Sequence, residues 1–281
     1  MSRNVLLACD LSAENRAAFG RAIRLANESG ARLNILHVVD PYLPRRLLHD
    51  LEAAVVDDIA TMLTDLREDY ALLEPPHLIQ TVTGEPYVEI IREAYEREAE
   101  LLVLGTHRKR GLPSLVEGTT LSRVMQHAPC PVVTTCQPAN LDWADILVPI
   151  DFSLTSRHTL REIIKRFPEA RVTLLHAWQL PGEATLGSSD SVARWRDGEL
   201  KRLRQLLERE TEALMSELED VPELSLEIEQ GEPLEVLLMR LRRQPPDLLA
   251  LGNRGLLGRR SRITAALLSE PNCDLMLCRA W

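Results

Sequence analysis

The sequence predicts an α/β protein in which one structural unit occurs twice. Short apolar runs without polar alternation, typical of parallel strands buried on both faces, alternate with amphipathic helical segments along the whole chain. The motif LLxLG ends at Gly105 and again at Gly252, 147 residues later. Asp10 and Asp151 follow apolar runs 141 residues apart, and Gly-Glu-Pro occurs at 84–86 and 231–233. These repeats predict two domains, 1–138 and 143–281.

The first half contains five predicted strands. They lie at 4–9, 32–39, 77–82, 101–105 and 131–135. Helices are predicted between them: one after Ser12 that closes at Gly30, one over 45–73 that ends before Pro75, one from 86 to about 97 and one over 119–127. Because strand and helix alternate five times, we expect a parallel sheet with helices on both faces.

The second half repeats this order after a polar linker, 137–142. Strands are predicted at 145–150, 171–177, 224–229, 247–252 and 273–279, with helices that end near 166 and span 193–218 and 233–243. The two long helices, 45–73 and 193–218, have surface that makes a homodimer of such chains reasonable.

Composition restricts the class of function. The net charge of −9 argues against a broad surface for nucleic acid or anionic membranes, and no segment approaches the roughly 20 apolar residues of a membrane helix. The apolar run at the N-terminus is too short for a signal peptide, so a cytoplasmic location is expected. The five cysteines form no CxxC pair, and we interpret them as reduced, largely buried thiols. A zinc site at His127, Cys130 and Cys136 is the alternative.

The stretch from Leu101 to Thr120 indicates a binding site. A buried strand breaks at Gly105 into a basic, glycine-containing loop that leads into a helix, so free backbone N–H groups and a helix N-terminus converge on one point. This arrangement suits a phosphate. In doubly wound sheets ligands bind beyond the carboxyl ends of the strands, where Asp10, Val38 and the 105–120 loop are also expected.

With Asp after the first strand, Gly-Glu-Pro before the third helix and the glycine loop after the fourth strand, the chain resembles a tandem universal stress protein. The resemblance covers both halves and implies two tandem flavodoxin-like domains, each a five-stranded parallel sheet of order 3-2-1-4-5 with helices on both faces. It also implies that the two fifth strands pair antiparallel, so that one chain is a pseudo-dimer. ATP or another adenine nucleotide, with Mg²⁺, is the implied ligand.

The family's nucleotide motif assigns candidate contacts in each half. In the first half Asp10 would contact the nucleoside and the main chain near Val38 the adenine, while the phosphates and ribose would lie near Gly105, Arg108, Gly118, Thr119 and Thr120. The corresponding candidates in the second half are Asp151, Ala177, Gly252, Arg254, Gly255 and Ser261.

Both phosphate loops depart from the family's pattern. Arg108 replaces the second glycine of the first half, where it either blocks the pocket or supplies a guanidinium in place of lost N–H donors. In the second half Ala265 and Ala266 stand where glycine and serine are expected, so the last phosphate contacts are lost. We therefore expect weak or single-site nucleotide binding at most.

An enzymatic role has little support in the sequence. No Ser-His-Asp order, HExxH pattern or Walker-type loop is present, and His37 and His176 are expected to be structural rather than catalytic. Asp10 and Asp151 are interpreted as binding residues that also cap the following helices. The sequence favours a stress-response binding or signalling module with an unknown protein partner; an ATP-hydrolysing or metal-using enzyme that employs the basic loops is the alternative.

Overall fold

A computed structural model describes residues 3–12, 15–105, 120–139, 142–179, 190–216, 223–253 and 272–279. The strands are β1 Asn4–Cys9, β2 Arg32–Val39, β3 His77–Thr83, β4 Leu101–Gly105, β5 Val132–Thr135, β6 Asp145–Pro149, β7 Arg171–Trp178, β8 Glu223–Gln230, β9 Leu248–Asn253 and β10 Asp274–Arg279. The helices are α1 Arg16–Ser29, α2 Arg45–Tyr70, α3 Pro86–Glu96, α4 Thr120–His127, α5 Leu154–Arg166, α6 Asp190–Met215 and α7 Pro233–Arg243.

The ten strands of the described residues belong to one sheet, with the order β3-β2-β1-β4-β5-β10-β9-β6-β7-β8. The strands of each half are parallel and follow the predicted order 3-2-1-4-5, which confirms the fold class. The halves join where β5 pairs antiparallel with β10, with Val133 opposite Met276. As a result, the carboxyl ends of the first-half strands lie at one edge of the sheet and those of the second half at the opposite edge.

Helices cover both faces of the sheet because every central strand is apolar on both sides. On one face, side chains such as Phe19 of α1, Ile59 of α2 and Ile163 of α5 pack into one continuous buried cluster that spans both halves. On the other face, Ile90 of α3 and Leu237 of α7 belong to a second buried cluster. These two layers are the arrangement expected of a doubly wound sheet.

Two helix ends show how local conformation sets the boundaries. Gly30 has φ 61° and donates its N–H to the carbonyls of α1, so this glycine closes the helix as predicted. Helix α2 ends at Tyr70, earlier than predicted, because Ala71 adopts a left-handed conformation with φ 50°. The expectation that the helix continues to residue 73 is therefore wrong, because a left-handed residue ends it first.

A buried polar group, here called the inter-half cluster, consists of Arg21, Trp143 and Asp274. One carboxylate oxygen of Asp274 accepts from the backbone N–H groups of Cys136 (2.9 Å) and Gln137 (3.1 Å). The other accepts from the Trp143 indole at 3.0 Å and faces the Arg21 guanidinium at 3.4 Å. That guanidinium also lies 4.4 Å from the centre of the Trp143 ring. The cluster thus connects α1, the linker and β10.

Candidate functional site

Asp10 stands at the carboxyl end of β1, where its side chain organises the turn before α1. Its Oδ1 accepts from the backbone N–H of Ser12 (3.1 Å), the Ser12 hydroxyl (2.7 Å) and the Asn15 side-chain amide (2.7 Å). The intervening Leu11 has φ 59°, so the chain turns sharply between strand and helix. Three donors on one oxygen hold the carboxylate in a fixed position at the sheet edge.

Gly105 ends β4 directly beside this turn. A β-carbon added at Gly105 would overlap the amide oxygen of Asn15 and lie 3.4 Å from its backbone Cα. Asn15 is itself 95% buried, so it has little room to move. The glycine is therefore needed for close approach of the α1 N-terminus to β4. Through Asn15, the structure brings Asp10 and Gly105 together as the sequence predicts.

His37 and Val38 lie at the end of β2, next to β1. The His37 Nδ1 is 3.0 Å from the carbonyl oxygen of Cys9, which can only accept, so Nδ1 carries the proton. Burial lowers the pKa of His37, whereas burial and, secondarily, the Asp10 carboxylate raise the pKa of Cys9 to about 12. A neutral imidazole bound to a backbone carbonyl and a protonated thiol support the structural interpretation of His37.

The second half repeats this geometry with different side chains. Asp151 accepts from the Ser153 backbone N–H at 3.0 Å, Phe152 has φ 62°, and His176 Nδ1 lies 2.8 Å from the Ile150 carbonyl oxygen. Ala177 follows at the end of β7. The repeated strand-end histidine and left-handed residue identify the same type of edge in both halves.

Gly252 lies closer to the backbone of the neighbouring helix start than its counterpart Gly105 does. A β-carbon there would lie 2.5 Å from the Thr155 methyl group and 3.1 Å from the Thr155 backbone carbon and oxygen. The methyl group could rotate away, but the backbone could not. Gly252 is thus required by packing of the α5 N-terminus against β9.

The expectation that Asp10 and Asp151 cap the following helices is wrong. Asn15 occupies the N-cap position of α1, and Ser153 is the N-cap of α5, where its hydroxyl accepts from the Ser156 N–H. Each aspartate lies too far upstream and instead bonds the turn that precedes the helix. Both carboxylates lie just beyond the carboxyl ends of β1 and β6.

The phosphate-loop candidates fall mainly outside the described residues. These are Arg108, Gly118 and Thr119 in the first half, and Arg254, Gly255 and Ser261 in the second. Thr120 is described and begins α4, so it stands at the N-terminus of that helix. The structure therefore describes the strand-end part of each candidate site and, in the first half, Thr120.

Asn15 and Thr155 are site residues that the sequence patterns did not indicate. Each lies four or five residues after the strand-end aspartate and packs against the glycine at or near the end of the fourth strand of its half. Only the spatial neighbourhood of two strands reveals this contact. The available signal was the glycine itself, whose missing side chain implied a close neighbour.

The remaining candidates for chemistry lie elsewhere. Within the described ranges, no three His, Cys, Asp or Glu side chains are grouped so as to hold a metal ion, which gives no support to zinc at His127, Cys130 and Cys136. A search of the described helices finds none with the length and apolar character to span a membrane.

A cavity of about 610 Å³ lies between the amino ends of the first-half strands and α5, away from Asp10. Four of the charged side chains that line it form pairs with one another, Arg166 with Glu162 at 3.0 Å and Arg3 with Glu100 at 4.0 Å. We therefore do not assign it as the functional site.

Comparisons with known proteins agree with this architecture. Universal stress protein YxiE of Bacillus subtilis is 29% identical over 147 residues, 47% of this chain and 98% of its own length. A universal stress protein of Thermus aquaticus is 32% identical over 143 residues, 47% of this chain and 98% of its own length. The crystal structure of a universal stress protein from Archaeoglobus fulgidus covers 99% of both chains with a TM-score of 0.69 and 15% identity, a likeness of fold.

The model of the universal stress protein family matches this chain twice, at residues 1–135 and 143–279. The two matches coincide with the two halves of the sheet, which meet at the β5–β10 pair. The chain therefore belongs to the universal stress protein family and carries two of its units in tandem.

Proposed function

We propose that the protein is a stress-response binding module whose first half holds one adenine nucleotide weakly, at the edge formed by Asp10, Val38 and Gly105. The observation that carries the proposal is the Asp10–Asn15–Gly105 arrangement at the carboxyl end of β1 and β4. It fixes a carboxylate, a potential acceptor for ribose hydroxyls, beside the strand end from which the glycine loop departs. Ligands of doubly wound sheets bind at this edge, next to the change in strand order.

The first half is favoured because its loop keeps Gly118 and Thr119 directly before Thr120, the first residue of α4. The second half has Ala265 and Ala266 at the positions of Gly118 and Thr119. Hydroxyl and backbone N–H groups at a helix N-terminus are suited to phosphate. The second half would then supply mainly packing and partner contacts. We infer that the chain signals through conformation and a protein partner rather than through chemistry.

Native mass spectrometry of the untagged chain with ATP, with and without Mg²⁺, tests the proposal. We expect one bound nucleotide, lost in Asp10→Ala and kept in the matched variant Asp151→Ala. Arg108→Gly would show whether that arginine obstructs or supports the phosphate. The proposal is wrong if neither wild type nor Arg108→Gly binds, or if Asp151→Ala alone abolishes binding. Release of inorganic phosphate above background would instead favour the ATP-hydrolysing alternative.

Self-association is the second part of the proposal. The two long helices expose apolar side chains, Leu51 and Val56 on α2 and Trp195 and Leu206 on α6, and exposed apolar surface is a common feature of protein interfaces. Sedimentation velocity should give a dimer that Leu51→Glu weakens, while the control Leu73→Glu, outside both helices, leaves it unchanged. A concentration-independent monomer would refute the homodimer. The cytoplasmic location stays a prediction from composition.

A further inference from the structure

The antiparallel ladder between the halves brings two cysteines to opposite positions. Thr134 pairs with Leu275 and Val132 with Leu277, so continuation of this register sets Cys136 opposite Cys273. Cys136 follows the last residue of β5 and Cys273 precedes the first residue of β10. Opposite residues of antiparallel strands have Cα atoms about 4.5–5.5 Å apart, within the roughly 4.4–6.8 Å that disulfides span.

The two side chains also belong to the same face of the sheet. Val132, Leu275 and Cys273 contribute to one buried cluster, whereas Val133 and Met276 contribute to the cluster on the opposite face. Because side chains alternate along a strand, Cys136 continues the set that contains Val132. Cys136 also acts electrostatically on Cys273, where it adds to the larger effect of burial in raising the pKa. This effect agrees with the neighbouring positions that the strand register gives the two thiols.

The two halves are related by an approximate two-fold axis, which generates a second pair of opposite positions in the β5–β10 ladder. Only one of these two pairs of positions holds two cysteines. Leu102 pairs with Val132 in the first half as Leu249 pairs with Leu275 in the second, so Cys136 and Arg279 occupy equivalent positions. The symmetry-related pair is therefore Cys130 and Arg279, which cannot be cross-linked. One thiol pair, with one member from each half, therefore lies at the antiparallel β5–β10 pair, here called the seam.

We propose that Cys136 and Cys273 are a redox modification site at which hydrogen peroxide drives formation of a disulfide between the two halves. Cys136 is half-buried and reachable, whereas Cys273 is buried, so Cys136 reacts first. Its thiolate attacks one peroxide oxygen, the O–O bond breaks, and a sulfenic acid and one water form. The sulfur of Cys273 then attacks the Cys136 sulfur and a second water leaves. The two sulfurs lose two electrons, which the peroxide gains.

The burial of Cys273 determines the rate of the second step. Burial raises the pKa of this thiol to about 12, so little thiolate is present near neutral pH. We expect the disulfide to form slowly at neutral pH and faster as the pH rises. The cross-link would form within each folded chain, at a rate independent of protein concentration.

The experiment uses the full-length untagged chain, treated with hydrogen peroxide, alkylated with N-ethylmaleimide and digested with trypsin. Cys136 lies in peptide 124–157 and Cys273 in peptide 263–279, each with a second cysteine, Cys130 or Cys278. The variant Cys130→Ser/Cys278→Ser therefore leaves one cysteine in each peptide. We expect these two peptides to be recovered joined, the intact mass to fall by two hydrogens, and the urea midpoint to rise until dithiothreitol is added.

Two further variants in that background make the outcome decisive. Cys136→Ser should abolish the joined peptide, whereas Cys9→Ser, which removes a buried cysteine far from the seam, should leave it unchanged. Recovery of both peptides fully alkylated after oxidation would overturn the proposal. So would oxidation of Cys136 to a sulfinic acid without any joined peptide.

Discussion

Replacement of Asp274 by asparagine tests the inter-half cluster. The asparagine oxygen can still accept from Cys136 and Gln137, but its NH₂ group then faces two donors, the Trp143 indole and the Arg21 guanidinium. Arg21 is only 2% exposed, so its charge would remain in the interior without the opposing carboxylate.

The expected loss of unfolding free energy follows from the burial of Arg21. Removal of one partner of a buried ion pair costs about 3–5 kcal/mol, because the remaining charge is left uncompensated. With a urea m-value of about 3 kcal/mol/M for a protein of this size, a loss of about 3 kcal/mol lowers the unfolding midpoint by about 1 M. Burial raises the pKa of Asp274 and lowers that of Arg21. The same burial makes an Arg21 charge without its carboxylate partner destabilising.

The assay is urea unfolding, followed by circular dichroism and tryptophan fluorescence. In a double-mutant cycle with Arg21→Met, the double variant should be less destabilised than the sum of the single variants. Asp145→Asn is a matched control, because Asp145 pairs with Arg171 at the surface and the midpoint should stay near that of wild type. A loss below about 1 kcal/mol for Asp274→Asn, or an additive cycle, would refute the reasoning.

Three other predictions concern single positions. Gly252→Ala should lower the free energy of unfolding in urea by about 1–3 kcal/mol, because the new methyl group meets the backbone of Thr155. The loss should exceed that of Gly105→Ala, and equal losses for the two variants would contradict this reasoning. Burial lowers the pKa of His37 in the folded protein below its value in the unfolded chain. As the pH falls, the unfolded chain therefore binds this proton first, and the free energy of unfolding should decline below about pH 6.5. His37→Gln should flatten that decline in urea midpoints measured between about pH 7 and 5.5; an unchanged slope would assign it to other groups. Ala71→Gly should increase the free energy of unfolding by about 1 kcal/mol and so raise the thermal midpoint, since glycine adopts φ 50° without strain. A lower midpoint would count against Ala71 as the left-handed C-cap of α2.

Much of the fold followed from local patterns. Apart from Asn4, the strands Asn4–Cys9 and Leu101–Gly105 contain no polar side chain. The alternation of such runs with helices predicts a parallel sheet with helices on both faces from sequence alone. The strand order and the antiparallel β5–β10 pair came from the resemblance to a family and are confirmed. Helix ends were less predictable, because a left-handed Ala71 carries no sequence signal comparable to glycine or proline.

The candidate site was predictable only where it coincides with strand ends. Asp10 and Gly105 were indicated, but the residue that links them, Asn15, belongs to a helix start with no motif of its own. Arg21 and Asp274 are separated by most of the chain, so an ordinary helix arginine and a strand aspartate gave no sign of their pairing. Contacts of this kind depend on tertiary packing and not on local sequence.

The joining of two units in one chain has a consequence for how each can change. In a dimer of identical subunits every substitution at the shared strand pair appears twice, so a new side chain must tolerate its own copy. Here the position held by Pro131 in the first half is held by Asp274 in the second, as the matching ladders of β4–β5 and β9–β10 show. A single carboxylate can therefore meet a single arginine, with no second carboxylate to repel. Tandem linkage lets one half acquire a buried ion pair while the other keeps a proline, and it lets the strand ends of the two halves diverge independently.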